Sequence, residues 1–414
     1  MRLTFVFLFA FTTLILSQKL SGRKVQEPLS RSDVFFELIS LPDDSLNTLF
    51  FYKIPYDKSV FVKKNNLYNS EVTVNLEIRD EEKNVIVRST QTKSVLTTSF
   101  EETNSSHKFI QGVFRIKLAL GKYLFYPTIE FQNSSRIINY PEITADINLE
   151  KNILKPIICR SIKGPSDYFV YENFSGNIPF TKKHFDLLIP YNQSLEYPVE
   201  IKISQNNKTV IFTVINDSRY KFSIAESDSE IIFVEDDKGT NFFVVKNIND
   251  KLYEGKCDVE ISNGKSKELF SMNVRWFDKP NSLNDIENSI DILKLIENKA
   301  KVDSLLDEDE ENFSWILFDY WKMFDPDTST TFNEVMTEFY SRVDYADKNF
   351  SVFNKKKGST TDRGIVYIKY GEPDEIIRNF AEIDATSERW IYKKLKLRFN
   401  FFDNTGTGNF TLKN

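Results

Sequence analysis

From about residue 30 to residue 275, apolar positions recur in short runs or with a period of two, between polar turns, which predicts many short antiparallel strands. Val72-Thr-Val-Asn-Leu-Glu-Ile78 alternates cleanly, Asp80-Glu-Glu-Lys-Asn84 reads as a turn, and Val85-Ile-Val87 returns as the second arm of a hairpin. By the same signals Ile231-Ile-Phe-Val234, Glu235 to Gly239 and Phe242-Phe-Val-Val245 form a second hairpin. After Trp276 the period becomes helical: Ile286, Ile290, Leu293 and Ile296 share one face. Phe313, Leu317, Tyr320, Trp321 and Phe324 share a second, and Phe332, Val335, Phe339, Val343 and Ala346 a third. Ser282 with Asp285, and Thr331 with Glu334, fit capping boxes for the first and third helices. The last stretch returns to strands: Gly364 to Tyr370, Glu388 to Tyr392, Leu397 to Phe401 and Phe410 to Leu412.

The strand-rich part repeats itself. Ile54-Pro-Tyr56 recurs as Ile189-Pro-Tyr191, Gly121-Lys-Tyr123 as Gly255-Lys-Cys257, and the Ile78 to Ile86 segment as Ile203 to Ile211, all in the same order. The fold class expected is therefore multidomain and mainly β. Two tandem antiparallel β-sandwich (Ig-like) domains, at 30–150 and 151–278, precede a helical segment and a small α+β domain at 281–414. The tryptophans at 276, 315, 321 and 390 are expected to share one aromatic core behind the last sheet.

Composition changes this picture little. With 37 Phe and 18 Tyr against 13 Gly and 13 Pro, the chain is suited to packed aromatic cores. A net charge of −6, from interspersed 54 basic and 60 acidic residues, gives no footprint for a nucleic-acid backbone. Residues 1–17 do add something: Arg2, an uncharged apolar run from Leu3 to Leu16 and a polar boundary at Ser17 have the form of a signal peptide. The run is shorter than the ~17–25 residues that span a bilayer, and no Cys lies near the boundary for lipid attachment. Membrane association is expected only if that signal stays uncleaved. Outside the cytoplasm Cys159 and Cys257 could pair, or could remain two separately buried thiols.

Candidate chemistry is sparse. His107 and His184 stand apart with no partner at metal-ligand spacing, and the acidic run Asp307 to Glu311 lacks the alternation of a calcium loop. No phosphate loop or dinucleotide fingerprint occurs, so no cofactor is expected. The best polar group is Thr361-Asp362-Arg363 at one end of the expected 364–370 strand, with Asp374 at the other. Asp362 has the chemistry of an acid, base or ligand and Arg363 that of an anion holder. As structure, Thr361 or Asp362 can cap a turn, Arg363 can pair with Glu334 or another helix acid, and Gly364 can take a backbone angle that other residues resist.

The segments Phe318-Asp-Tyr-Trp-Lys-Met-Phe-Asp-Pro-Asp327, Phe339-Tyr-Ser-Arg342, Gly358-Ser-Thr-Thr-Asp-Arg-Gly364, Tyr370-Gly-Glu-Pro-Asp374 and Trp390-Ile-Tyr392 resemble the bacterial GWxTD domain, over about residues 281–412. The Trp that gives the family its name is Ser359 here. The resemblance implies an exported bacterial protein with sandwich domains ahead of the C-terminal module, and no established activity. The function expected is a non-catalytic envelope protein that docks a protein partner. Gly358, Thr361, Asp362, Arg363, Gly364 and Tyr370 are its expected binding residues. The alternative is a hydrolase of envelope polymer using Asp362, Arg363 and Asp374.

Overall fold

A computed structural model describes residues 33–413, apart from 43–47, 148–151, 165–166, 193–196, 218–219, 228–229, 353–356 and 380–385. The expected signal at 1–17 lies outside the described residues. In the first part run β1 (Phe35–Ser40), β2 (Thr48–Pro55), β3 (Val62–Lys64), β4 (Leu67–Asp80), β5 (Val85–Thr97), the one-turn α1 (Phe100–Thr103), β6 (Phe109–Ile116), β7 (Gly121–Phe131), β8 (Ile137–Asn139) and β9 (Ile143–Ile147). The second part comprises β10 (Ile157–Ile162), β11 (Tyr168–Tyr171), β12 (Ile178–Pro179), β13 (Asp186–Tyr191), β14 (Val199–Gln205), β15 (Lys208–Ile215), β16 (Tyr220–Ser227), β17 (Glu230–Glu235), β18 (Thr240–Val245), β19 (Gly255–Ser262) and β20 (Lys267–Arg275). Helices α2 (Ile286–Ile292), α3 (Lys299–Leu306), α4 (Phe313–Lys322), α5 (Glu334–Phe350) and α6 (Asp362–Tyr370) follow. Last come β21 (Glu375–Asn379), β22 (Thr386–Tyr392), β23 (Leu397–Asp403) and β24 (Thr411–Lys413). The protein is mainly β, with several sheets.

The clean alternation in β4 has the expected effect: Val72, Val74, Leu76 and Ile78 all lie in one core with Phe50, Tyr52 and Ile54 of β2 and Phe125 and Ile129 of β7. This core fills the space between the sheet β1-β2-β6 and the larger sheet around β4 and β7. β2 is buried along its whole length, because its other face also finds a partner. Leu49 and Phe51, with Val113 of β6, pack against Cys159, Tyr171 and Phe233 of a closed barrel, β10-β11-β17-β16-β18-β13. Alternate residues of β13, Leu187, Ile189 and Tyr191, face instead the sheet β12-β20-β19-β14-β15 and the helices, in the largest core of the molecule.

The sequence repeat is a repeat of pairings. β4 pairs with β5 and β7 as β14 pairs with β15 and β19, and β2 pairs with β6 as β13 pairs with β18. The hairpins even share a bulge, at Ile78/Arg79 and at Ile203/Ser204. Gly121 and Gly255 open the equivalent strands β7 and β19 at φ +145° and +133°, a conformation that a side chain would strain.

Several expectations are corrected. Ile231–Val234 and Phe242–Val245 are not a hairpin: β17 and β18 both pair with β16, which lies between them. The Asp236–Gly239 turn crosses the start of β16, so close that a Cβ on Gly239 would sit 2.4 Å from the carbonyl oxygen of Phe222. Of the two alternatives left open for the cysteines, the structure has the second: Cys159 and Cys257 are both free, buried in different cores. The four tryptophans do not share one core: Trp276 and Trp321 belong to the large one, Trp390 sits behind the last sheet, and Trp315 is exposed. Asp285 and Asn333, not Ser282 and Thr331, cap α2 and α5, accepting from the backbone N–H of Asn288 and Met336. Residues 364–370 are not a strand but most of helix α6. They read as a strand because they are β-branched and apolar on two faces. Ile368 belongs to the helical core, while Val366 packs with Trp390, Tyr392 and Phe401 of the four-stranded sheet β21-β22-β23-β24. A helix clamped between two cores loses the one-sided pattern that normally betrays it.

Candidate functional site

The segment 358–374 is held by bonds that build the fold. A Cβ on Gly358 would stand 1.9 Å from the carbonyl oxygen of Ala346, and one on Gly364 1.9 Å from that of Gly358. The two glycines therefore let α5, the 358–360 turn and α6 touch backbone to backbone. Ser359 is buried, and its backbone N–H donates to Asp347 Oδ1 at 2.7 Å. Thr361 caps α6, its hydroxyl donating to Gly358 O at 2.7 Å and accepting from the Gly364 N–H at 3.1 Å.

Asp362 accepts from the Leu412 N–H at 2.7 Å and so fastens β24 to the helix. Arg363 reaches Glu388 Oε2 at 3.4 Å and Gly408 O at 3.2 Å, and its guanidinium lies 4.0 Å from the Phe410 ring centre. Burial pulls its pKa below the ordinary arginine value, and the carboxylate of Glu388 opposes that shift. Glu388 is itself buried and also takes hydrogen bonds from Arg378 and the Trp390 indole, at 3.0 and 3.2 Å. The acid that answers Arg363 thus comes from β22 and not from the helices. Asp374 accepts from the Lys393 N–H at 2.7 Å, beyond the other end of α6. At ~1.5 Å of rise per residue, the helix puts it about 13 Å or more from Asp362, so these groups do not converge. Tyr370 is partly exposed, against Phe399 and Tyr392.

A concave surface lies elsewhere among the described residues. A cleft of about 820 Å³ opens between the residues around β12, the end of β20 and the helices α4, α5 and α6. Phe180, Trp276 and Phe332 form its floor as a triad of edge-on rings, 5.2 to 5.7 Å apart. Its walls are Trp321 and Phe339, and its rim carries the ion pairs Lys182–Glu334 at 3.4 Å and Arg342–Glu338 at 2.7 Å. These pairs are exposed and orient side chains more than they stabilise the fold.

Three apolar residues that helical spacing assigns to buried faces, Ile296, Phe324 and Val335, are instead 42 %, 46 % and 37 % exposed, and all three line this cleft. Ile296 and Phe324 follow the ends of their helices, and Val335 is the second residue of α5. Their places on the helical stripes were visible in the sequence, although the meeting of the three was not.

The fold and the cleft define a mainly β protein of several sheets, with helices set against a C-terminal antiparallel sheet. Its C-terminal part, residues 261–414, matches the GWxTD domain. The match begins within β19, and so it includes Trp276, which contributes to the cleft. No curated protein matches the chain. Among solved structures, the titin Ig tandem domains A164-A165 are similar at 12% identity over 59% of this chain and 98% of that one, with a TM-score of 0.14. A second, pT26-6p, aligns at 10% identity over 82% of this chain and 85% of that one, with a TM-score of 0.12.

Proposed function

We propose that this is an exported bacterial envelope protein that works by holding a protein partner, with the aromatic cleft as its docking place. On this reading residues 30–150 and 151–278 are tandem Ig-like modules that carry residues 281–414 away from the point of attachment or release. The signal-like pattern of residues 1–17 supports export. The observation that carries docking is the convergence of Ile296, Phe324 and Val335, unburied, on one aromatic cleft. Exposed apolar side chains gathered around a concavity and rimmed by charges are what an apolar segment of a partner would cover. Asp362, Arg363 and Asp374 are each committed to a backbone or ion-pair contact, which favours docking over hydrolysis.

The test is capture of envelope proteins by the mature chain and by a Phe324→Asp, Val335→Asp double variant. Both side chains are exposed, so the variant should keep its fold. Loss of a captured protein with the variant supports the reading, and an unchanged set of captured proteins refutes it.

A further inference from the structure

The two hairpins that share a bulge provide an internal comparison. In the first, the two outward positions next after the bulge on the edge strand β5 are polar: Arg88 bonds to Glu77 opposite at 2.7 Å and Thr90 to Asn75 at 2.8 Å. Counted from the same bulge, the equivalent positions on β15 are Phe212, opposite Lys202, and Val214, opposite Glu200. They are 57 % and 42 % exposed, so the fold does not bury them, and the β5 hairpin closes without apolar residues there. β5 also carries Lys93, whereas β15 and its flank are uncharged from Thr209 to Asn216. Edge strands that stay single are normally guarded by charges, bulges or proline. Among the described residues β15 has β14 as its one strand partner and ends its five-stranded sheet.

We propose that two copies of this chain join edge to edge through β15, extending the sheet β12-β20-β19-β14-β15 across a twofold axis. The partner is argued from the strand itself. Antiparallel pairing centred on Thr213 sets Phe212 of each copy opposite Val214 of the other, an aromatic–β-branched pair on the same face, formed twice. It also brings Lys208, the charge at one end of the strand, toward Asp217 at the far end of the other copy's strand. The pairing uses residues past the bulge, where the ladder to β14 is regular. The inference is independent of the cleft, which lies at the β12 end of the same sheet.

Sedimentation velocity of the mature chain over a range of concentrations tests it. The expected result is a concentration-dependent dimer. Phe212→Lys and Val214→Glu, made separately, should each weaken it by about tenfold or more. Mixed in equal amounts they should restore it, because the new lysine then faces the new glutamate while the remaining Phe faces the remaining Val. Circular dichroism on both variants establishes that they stay folded. A wild-type chain that is monomeric throughout, or a dimer that both variants leave unchanged, overturns the proposal. So does a mixture that associates no better than its components.

Discussion

Arg363 joins three parts of the C-terminal module at once, through Glu388 of β22, the Gly408 carbonyl and the face of Phe410. Arg363→Ala would leave Glu388 with Arg378 and the Trp390 indole but remove a charged hydrogen bond and the packing on Phe410, so it should lower stability by about 2 kcal/mol. Arg363→Lys should recover less than half of it, since an ammonium cannot stack as a planar fork does. Urea melts of the two variants check both expectations. Gly364→Ala should cost at least as much as Arg363→Ala, because the added methyl has only the Gly358 carbonyl to meet. The thiols give a simpler test: burial pushes that of Cys257 up to about 12 and raises that of Cys159 well above its ordinary value. Both should resist a thiol reagent at pH 8 in the folded protein and react once it is unfolded. At this scale the sequence offered Thr361 as a cap, but the unusual backbone angle expected of Gly364 is not there: it is helical, and what excludes a side chain is the Gly358 carbonyl. The sequence could not show that Arg363 answers Glu388, because that acid arrives from a strand 25 residues later.

Helix α6 is the element whose sequence misleads most. Gly-Ile-Val-Tyr-Ile-Lys-Tyr is strand-like by propensity, yet tertiary packing wins, since the segment touches a core on either side and begins at a good cap. Thr361→Ala should therefore cost about 1 kcal/mol, with faster amide exchange confined to the first turn of α6, whereas Thr361→Ser should be nearly neutral. Hydrogen exchange resolved by residue distinguishes that from a general loss of stability. Helices α2, α4 and α5 were legible as amphipathic stripes, although the caps of α2 and α5 lay elsewhere than the capping-box pattern suggested; α3 was not read. The β4–β5 hairpin was also legible, from its alternation and its polar turn. The β17–β18 connection was not, because four residues can cross a neighbouring strand as readily as they turn back on one.

Across the whole molecule, the strand-rich parts are not beads on a string. Leu49, Phe51 and Val113 of the first lie in one cluster with the barrel of the second. Beside them buried Lys53 reaches Glu172 at 3.5 Å, and buried Glu37 accepts from Tyr171 at 2.6 Å and Lys155 at 3.1 Å. A chain ending after Ile147 would leave that face bare, and it should bind a hydrophobic dye or self-associate where the full chain does not. A monodisperse, dye-silent fragment would contradict the shared core. The repeat of strand pairings was readable from three short repeats, while the inter-sheet contacts were not, because alternation gives a strand's buried face without naming its partner. The cleft belongs to the same class: its residues come from 179 to 369, and only the folded chain gathers them. The most direct measurement of its role is site-specific photo-crosslinking in intact cells. A photoreactive residue at Val335 should give a discrete adduct with a partner protein, and one at the exposed Thr360, on the motif turn, should not. An adduct from position 360 with none from 335 would contradict the account.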